Sequence, residues 1–157
     1  VGVHEIVFNI LGKRGSKKEA FEEALTLIRL VPKRTEPYQF VFEYLKDKRD
    51  YGMIIKVMEK GLKAGAKDAF LRECLLLAYL ETGKEKPAMQ QIKEILKIRP
   101  KDISLWLHLA NLQEKHGDLG GALTSYKQVL DLSPEHEVAG EAYLRLRLRG
   151  VHGQGSQ

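Results

Sequence analysis

Residues 103–136 read ISLWLHLANLQEKHGDLGGALTSYKQVLDLSPEH, and this stretch decides the fold. Ala122, Tyr126, Val129 and Leu132 follow one another in steps of three and four, so they share one face of a helix. Gly117 stands just before that helix, where a preceding one must stop. Glycine takes the left-handed conformation at a helix C-terminus without steric cost. Pro134 stands where the second helix ends and cannot continue it. The segment reads as a helix, a short turn and a second helix.

The same marks recur upstream on one period. Pro32, Pro100 and Pro134 are separated by 68 and 34 residues, as are Ala20, Ala88 and Ala122, and as are Gly15, Gly83 and Gly117. Tyr38 and Trp106 are also 68 residues apart. Three lattices in one phase mark a 34-residue structural repeat. In an earlier copy Ala88, Ile92, Ile95 and Ile98 repeat the apolar helix face, and the small alanine lets two antiparallel backbones approach closely. Ser16 with Glu19 reads as a capping box. Asp68, Asp102, Asp118 and Ser133 read as N-caps, the last with Pro134 at the first helical position. Helices are predicted near 2–14, 17–31, 36–48, 51–63, 69–82, 85–98, 103–116, 119–132 and 135–148. Leu144–Arg149 alternates with period two, as a strand would, but it follows a capped helix start and is read as helix.

Composition narrows the functional classes. Of 157 residues, 43% are hydrophobic and 30% charged, which suits a globular chain. No apolar run approaches the roughly 18 residues a membrane helix needs, and no secretory signal opens the chain. It begins Val1-Gly2-Val3, as an excised domain or processed product would. The net charge of +5 is spread without a basic tail. The densest basic run is Lys13, Arg14, Lys17 and Lys18, which reads as a solvated helix–turn surface. Cys74 is the single cysteine, so neither an internal disulfide nor a four-cysteine zinc site can form. One thiol favours the cytoplasm and is also compatible with the periplasm.

The repeat resembles the tetratricopeptide repeat family, whose signature on this period is W-x2-L-G-x2-Y, then A-x3-F, then P. In 103–136, Trp106, Leu109, Ala122, Tyr126 and Pro134 fall on signature positions, with Ala110 for Gly and Gln113 for Tyr. The copy at 69–102 keeps Leu75, Tyr79, Ala88 and Pro100 but has Arg72 for Trp. The copy at 1–34 keeps Ala20 and Pro32. The copy at 35–68 diverges most: Tyr38 fits, but Ile54, Met58 and Ala66 replace Ala, Phe and Pro. The resemblance implies an all-α fold, a right-handed α-solenoid of four such repeats. It would occupy 1–149, with a capping helix at 137–149 and a flexible tail at 150–157.

The resemblance also implies a concave groove lined by the first helix of each pair, at repeat positions 2, 5, 6, 9, 12 and 13. The groove candidates are Glu36, Gln39, Phe40 and Glu43 from the second copy. The third copy adds Phe70, Glu73, Cys74 and Leu77, and the fourth adds His108 and Asn111. Over all such positions eight are acidic (Glu5, Glu36, Glu43, Asp47, Glu73, Glu81, Glu114 and Glu141) and five basic (Lys13, Lys46, Lys115, Arg145 and Arg149). An acidic groove with an apolar middle suits a segment carrying apolar anchors and Lys/Arg. The competing reading puts Phe40 and Phe70 in the core between repeats and leaves the carboxylates merely solvated. The carboxylate clamp of chaperone-binding members is not expected, because its positions hold Glu5, Asn9, Phe40, Phe70 and Cys74, and only Asn9 fits.

No catalytic, metal or cofactor residues are assigned. The five histidines form no H-x-x-x-H pair, and a Cys74–His108 nucleophile pair would need a pocket and a third orienting group. Gly12-Lys13-Arg14-Gly15-Ser16 lacks the spacing of a phosphate loop. The expected function is a non-catalytic scaffold or adaptor holding a peptide or helix of another protein. The alternatives are self-assembly through the solenoid ends, where Val3, Val7, Phe8 and Leu11 lie, and RNA or membrane-surface binding through basic edges such as Arg145, Arg147 and Arg149. Nucleic acid and membrane are not the expected partners.

Overall fold

The computed structural model describes residues 2–153, and the last four residues of the expected tail lie outside them. The described residues form nine α-helices and no strand. They are α1 (Gly2–Lys13), α2 (Lys17–Leu30), α3 (Glu36–Asp47), α4 (Tyr51–Lys63), α5 (Ala69–Glu81), α6 (Glu85–Ile98), α7 (Ile103–Lys115), α8 (Leu119–Leu132) and α9 (Glu137–Leu148). The all-α succession of helix pairs is as the sequence predicts, and Leu144–Leu148 is helical despite its alternation. The chain divides into two compact units, Val1–Lys84 and Glu85–Gln157. Within the first, consecutive helices from α1 through α5 pack on one another, and within the second consecutive helices from α6 through α9 do.

The glycine lattice is a row of helix stops. Gly15, Gly83 and Gly117 have φ of +76°, +72° and +80°. After each, the next residue's N–H reaches back five residues: Ser16 to Leu11, Lys84 to Tyr79 and Asp118 to Gln113, at 2.8–3.1 Å. These bonds satisfy carbonyls that the helix end would orphan. The second copy has no glycine at this place. Arg49 takes it instead, at φ 55°, and Asp50 N–H reaches Leu45 at 2.9 Å.

The proline lattice is a row of turns. The carbonyls of Val31, Arg99 and Ser133 accept from the N–H groups of Arg34, Asp102 and His136 at 3.1–3.3 Å. Each turn therefore carries its proline at the second position, where a fixed φ suits it. This corrects the expected start of α9. Ser133 closes α8, and the cap of α9 is His136, whose Nδ1 accepts from Ala139 N–H at 3.2 Å. The copy lacking proline ends α4 differently, with Gly65 at φ +97° and Ala66 N–H bonded to Gly61 at 3.0 Å.

Asp68, Asp102 and Asp118 cap their helices as expected, with side-chain oxygens accepting from Phe70, Leu105 and Gly121 N–H groups. Asp50 does the same for α4 through Met53. The expected Ser16 capping box is not formed, because Ser16 makes no side-chain cap bond. Its own N–H and carbonyl are held by Leu11 and Ala20.

The cores follow the lattice. Ala20, Ala88 and Ala122 are fully buried, and Ile54 fills the equivalent place in the second copy. Gln113, at the signature tyrosine position, is also buried. Its carbonyl accepts from Ser125 Oγ at 2.6 Å, so the polar group is satisfied. Around α8, the residues Ala110, Tyr126, Val129, Ala139 and Leu146 form one cluster.

Candidate functional site

In the N-terminal unit, the candidate residues lie on α3 and α5 and are held by contacts among the first helices of successive pairs. Phe8 of α1 meets Phe40 of α3 edge-on, with centroids 5.2 Å apart. Phe42 of α3 meets Phe70 of α5 in the same way at 5.8 Å. Phe40 and Phe70 are thus half-buried and committed to ring packing. Thr35 Oγ1 donates to Asp68 Oδ2 at 2.6 Å, joining the starts of α3 and α5. That bond, with the Phe70 N–H, holds the Asp68 carboxyl below the usual range.

Glu36, Gln39, Glu43 and Glu73 are exposed around these rings, and Leu77 is half-buried. Cys74 lies beneath this surface, only 2% exposed. Burial first, then the charge of Glu43, pushes its thiol up to about 12. It stays protonated at neutral pH, which removes the thiolate that a nucleophile needs.

Several carboxylates are countered from within. Arg34, in the turn before α3, pairs with Glu5, and its Nε donates to Glu36 at 3.3 Å. A hydrogen bond to its own backbone, and then Arg34, hold Glu36 below the usual carboxylate range. Lys46 sits 3.1 Å from Glu43 and 5.3 Å from the centre of the Phe42 ring. The acidic surplus counted from groove positions is therefore reduced by Arg34, a residue outside them. These pairs are largely solvated and contribute little to stability.

In the C-terminal unit, His108 is half-buried and Asn111 is exposed. Asn111 Oδ1 accepts from Tyr126 Oη at 2.9 Å. Arg145 of α9 grips Glu114 of α7 through two bonds of 2.8 and 2.9 Å. This bond lowers the Glu114 pKa, and burial raises that of Tyr126. Arg145, offered as part of a basic edge, is thus committed internally.

No cluster of three or more His, Cys, Asp or Glu among the described residues could hold a metal ion. No helix among them is long and apolar enough to cross a membrane. Gly12 and Lys13 form the last turn of α1 and Ser16 is the N-cap of α2, so the apparent phosphate-loop run is a helix–helix turn with no strand before it.

One feature is not legible from periodicity. A cleft of about 500 Å³ opens between α2 and α4, the second helices of the first two pairs. Leu25, Ile28, Met53, Val57 and Pro32 line it, the buried Tyr38 and Gly61 serve as its floor, and the exposed Arg29, Lys56 and Lys60 as its rim. The sequence sign is the divergence of the second copy, where the small residues Gly61 and Ala64 stand on the cleft side of α4.

Known proteins fit this picture. A tetratricopeptide repeat family model matches residues 103–136, the segment that set the repeat phase. The TPR repeat-containing protein PA0015 of Pseudomonas aeruginosa is 31% identical over 84 residues, covering 54% of this chain and 80% of the relative. Two solved structures share the fold at low identity. YrrB, described as a TPR protein with an unusual peptide-binding site, aligns at a TM-score of 0.66 and 17% identity, over 91% of this chain and 74% of its own. MamA from Desulfovibrio magneticus RS-1 aligns at 0.62 and 18% identity, over 95% of this chain and 84% of its own.

Proposed function

This chain belongs to the tetratricopeptide repeat family, and on that premise we propose that it is a non-catalytic protein-interaction scaffold. Its partner is a segment of another protein, bound on the face that α3 and α5 present in the N-terminal unit. One observation carries the reading: exposed Glu36, Gln39, Glu43 and Glu73 surround the half-buried Phe40, Phe70 and Leu77. Apolar side chains of the guest gain contact with the rings while its Lys or Arg residues meet the carboxylates. The described peptide-binding site of YrrB supports a peptide as guest. His108 and Asn111 offer a corresponding face in the C-terminal unit. The test is a pull-down comparing the chain with its Glu43→Lys/Glu73→Lys variant, followed by affinity measurement on the partner that is lost. Equal affinity for both forms sinks the proposal.

A second reading, self-association, has its own observation. Val3, Ile6 and Ile10 on α1 are 73%, 61% and 44% exposed, and α9 leaves Val138, Leu144 and Leu148 exposed. These are not quite the side chains expected, because Val7, Phe8 and Leu11 are half-buried. An exposed apolar stripe on a terminal helix is a stacking surface. Sedimentation across a concentration series decides it: a constant monomer mass removes this reading.

A further inference from the structure

The cleft between α2 and α4 lies away from the face just proposed and does not depend on it. Its α4 wall is a single helix face, with Met53, Val57, Lys60 and Ala64 at helical spacing. Its floor is rigid. The Tyr38 ring lies so close to Gly61 that a Cβ there would fall 2.6–2.8 Å from its atoms, and its hydroxyl donates to the Pro32 carbonyl at 2.7 Å. Ring and glycine together set how α4 sits against the end of α2, so the cleft is preformed and a guest pays little to order it.

The rim decides the guest. Arg29, Lys56 and Lys60 line the cleft, and no carboxylate does. Among the described residues none of the three is held in an ion pair. Long cationic side chains cover apolar walls with their stems and keep their charge at the mouth. Lys56 and Lys60 stand one helical turn apart on one wall, and Arg29 stands on the other, so the charge is spread along the mouth. A single carboxylate would use only part of it. We propose that this cleft docks an acidic amphipathic helix of a partner protein, with its apolar side chains between Leu25, Ile28, Met53 and Val57 and its carboxylates on Arg29, Lys56 and Lys60. The flexible thioether of Met53 lets the wall adjust to differently shaped apolar anchors. The chain would then hold two guests of opposite charge on separate faces.

The test is a methyl NMR titration of the full chain with a synthetic helical peptide. The peptide carries Leu at i, i+3, i+4 and i+7 and Glu on the flanks. A control peptide carries Lys for Glu. The expected result is saturable shifts at Leu25, Ile28, Met53 and Val57 with the acidic peptide only. Lys56→Glu/Lys60→Glu, both exposed, should weaken binding about tenfold or more. Met53→Gln, which leaves the charge intact, should weaken it several-fold. Circular dichroism verifies that both variants are folded. Four results overturn the proposal: no saturable shifts, shifts confined to α3 and α5, unchanged affinity in either variant, or binding to anionic phospholipid vesicles without binding to the peptide.

Discussion

Tyr38 donates its phenolic hydrogen bond to the carbonyl of Pro32 at 2.7 Å, and 68 residues later Trp106 donates its indole N–H to Pro100 at 2.8 Å. Aromatic and proline lattices are thus one device repeated. The ring at the start of a pair latches onto the turn that ends the previous pair. Tyr38→Phe keeps the ring and loses the bond, which should cost about 1 kcal/mol. Trp106→Phe loses a more exposed bond and should cost less of this kind. Urea unfolding followed by circular dichroism reads both, and an unchanged midpoint for Tyr38→Phe would mean that water replaces the phenol without loss.

Gly61→Ala should destabilise the chain although alanine is the better helix former. The propensity gain is about 1 kcal/mol, whereas a Cβ would meet the Tyr38 phenolic oxygen and two of its ring carbons at 2.6–2.8 Å. A double-mutant cycle with Tyr38→Leu should show strong coupling, because the smaller side chain makes room. Additive effects would place the clash elsewhere.

Arg49→Gly should stabilise modestly. A left-handed backbone costs a side-chain-bearing residue about 1–2 kcal/mol, and glycine gives back about 0.5–1 kcal/mol through unfolded-state entropy. The net gain is up to about 1.5 kcal/mol at the one stop in the lattice that lacks glycine. A lower denaturation midpoint would show that Arg49 makes compensating contacts.

Glu114→Gln should cost about 0.5–1 kcal/mol at neutral pH, since the Arg145 pair it breaks sets one guanidinium nitrogen against both carboxylate oxygens but is partly exposed, at 22% and 49%. The Arg145 hydrogen bond depresses the Glu114 pKa below 4.5. Such a carboxylate contributes stability above its unfolded pKa and loses it as pH falls through the folded value. The gap between wild type and variant should therefore close under acid, below 4.5. A gap independent of pH would assign the loss to packing.

Cys74 should react with maleimide slowly in the native chain and quickly in denaturant. The thiol is 2% exposed and pushed up to about 12, so little thiolate is within reach of reagent. Native reaction as fast as that of a free thiol would mean that α5 opens readily.

Helix stops, turns and most caps were legible in the sequence because each is a local backbone event. Gly83 ends α5 by its own conformational freedom, Pro100 shapes a turn of four residues, and Asp102 caps α7 three residues on. The exception at α9 is also local: Pro134 enters a turn rather than the first turn of that helix, so His136 is the cap.

The sequence by itself determined where most of the helices begin and end and which repeat family the chain joins, since glycine, proline and aspartate act on their immediate neighbours. Only the tertiary structure decided what the surfaces offer. It brought Arg34 against Glu5, sank Cys74 beneath the exposed carboxylates, and opened a cleft where Tyr38 meets Gly61. Charge pairing and packing depend on distances between residues far apart in the chain, and periodicity assigns a residue to a face without saying what stands opposite it.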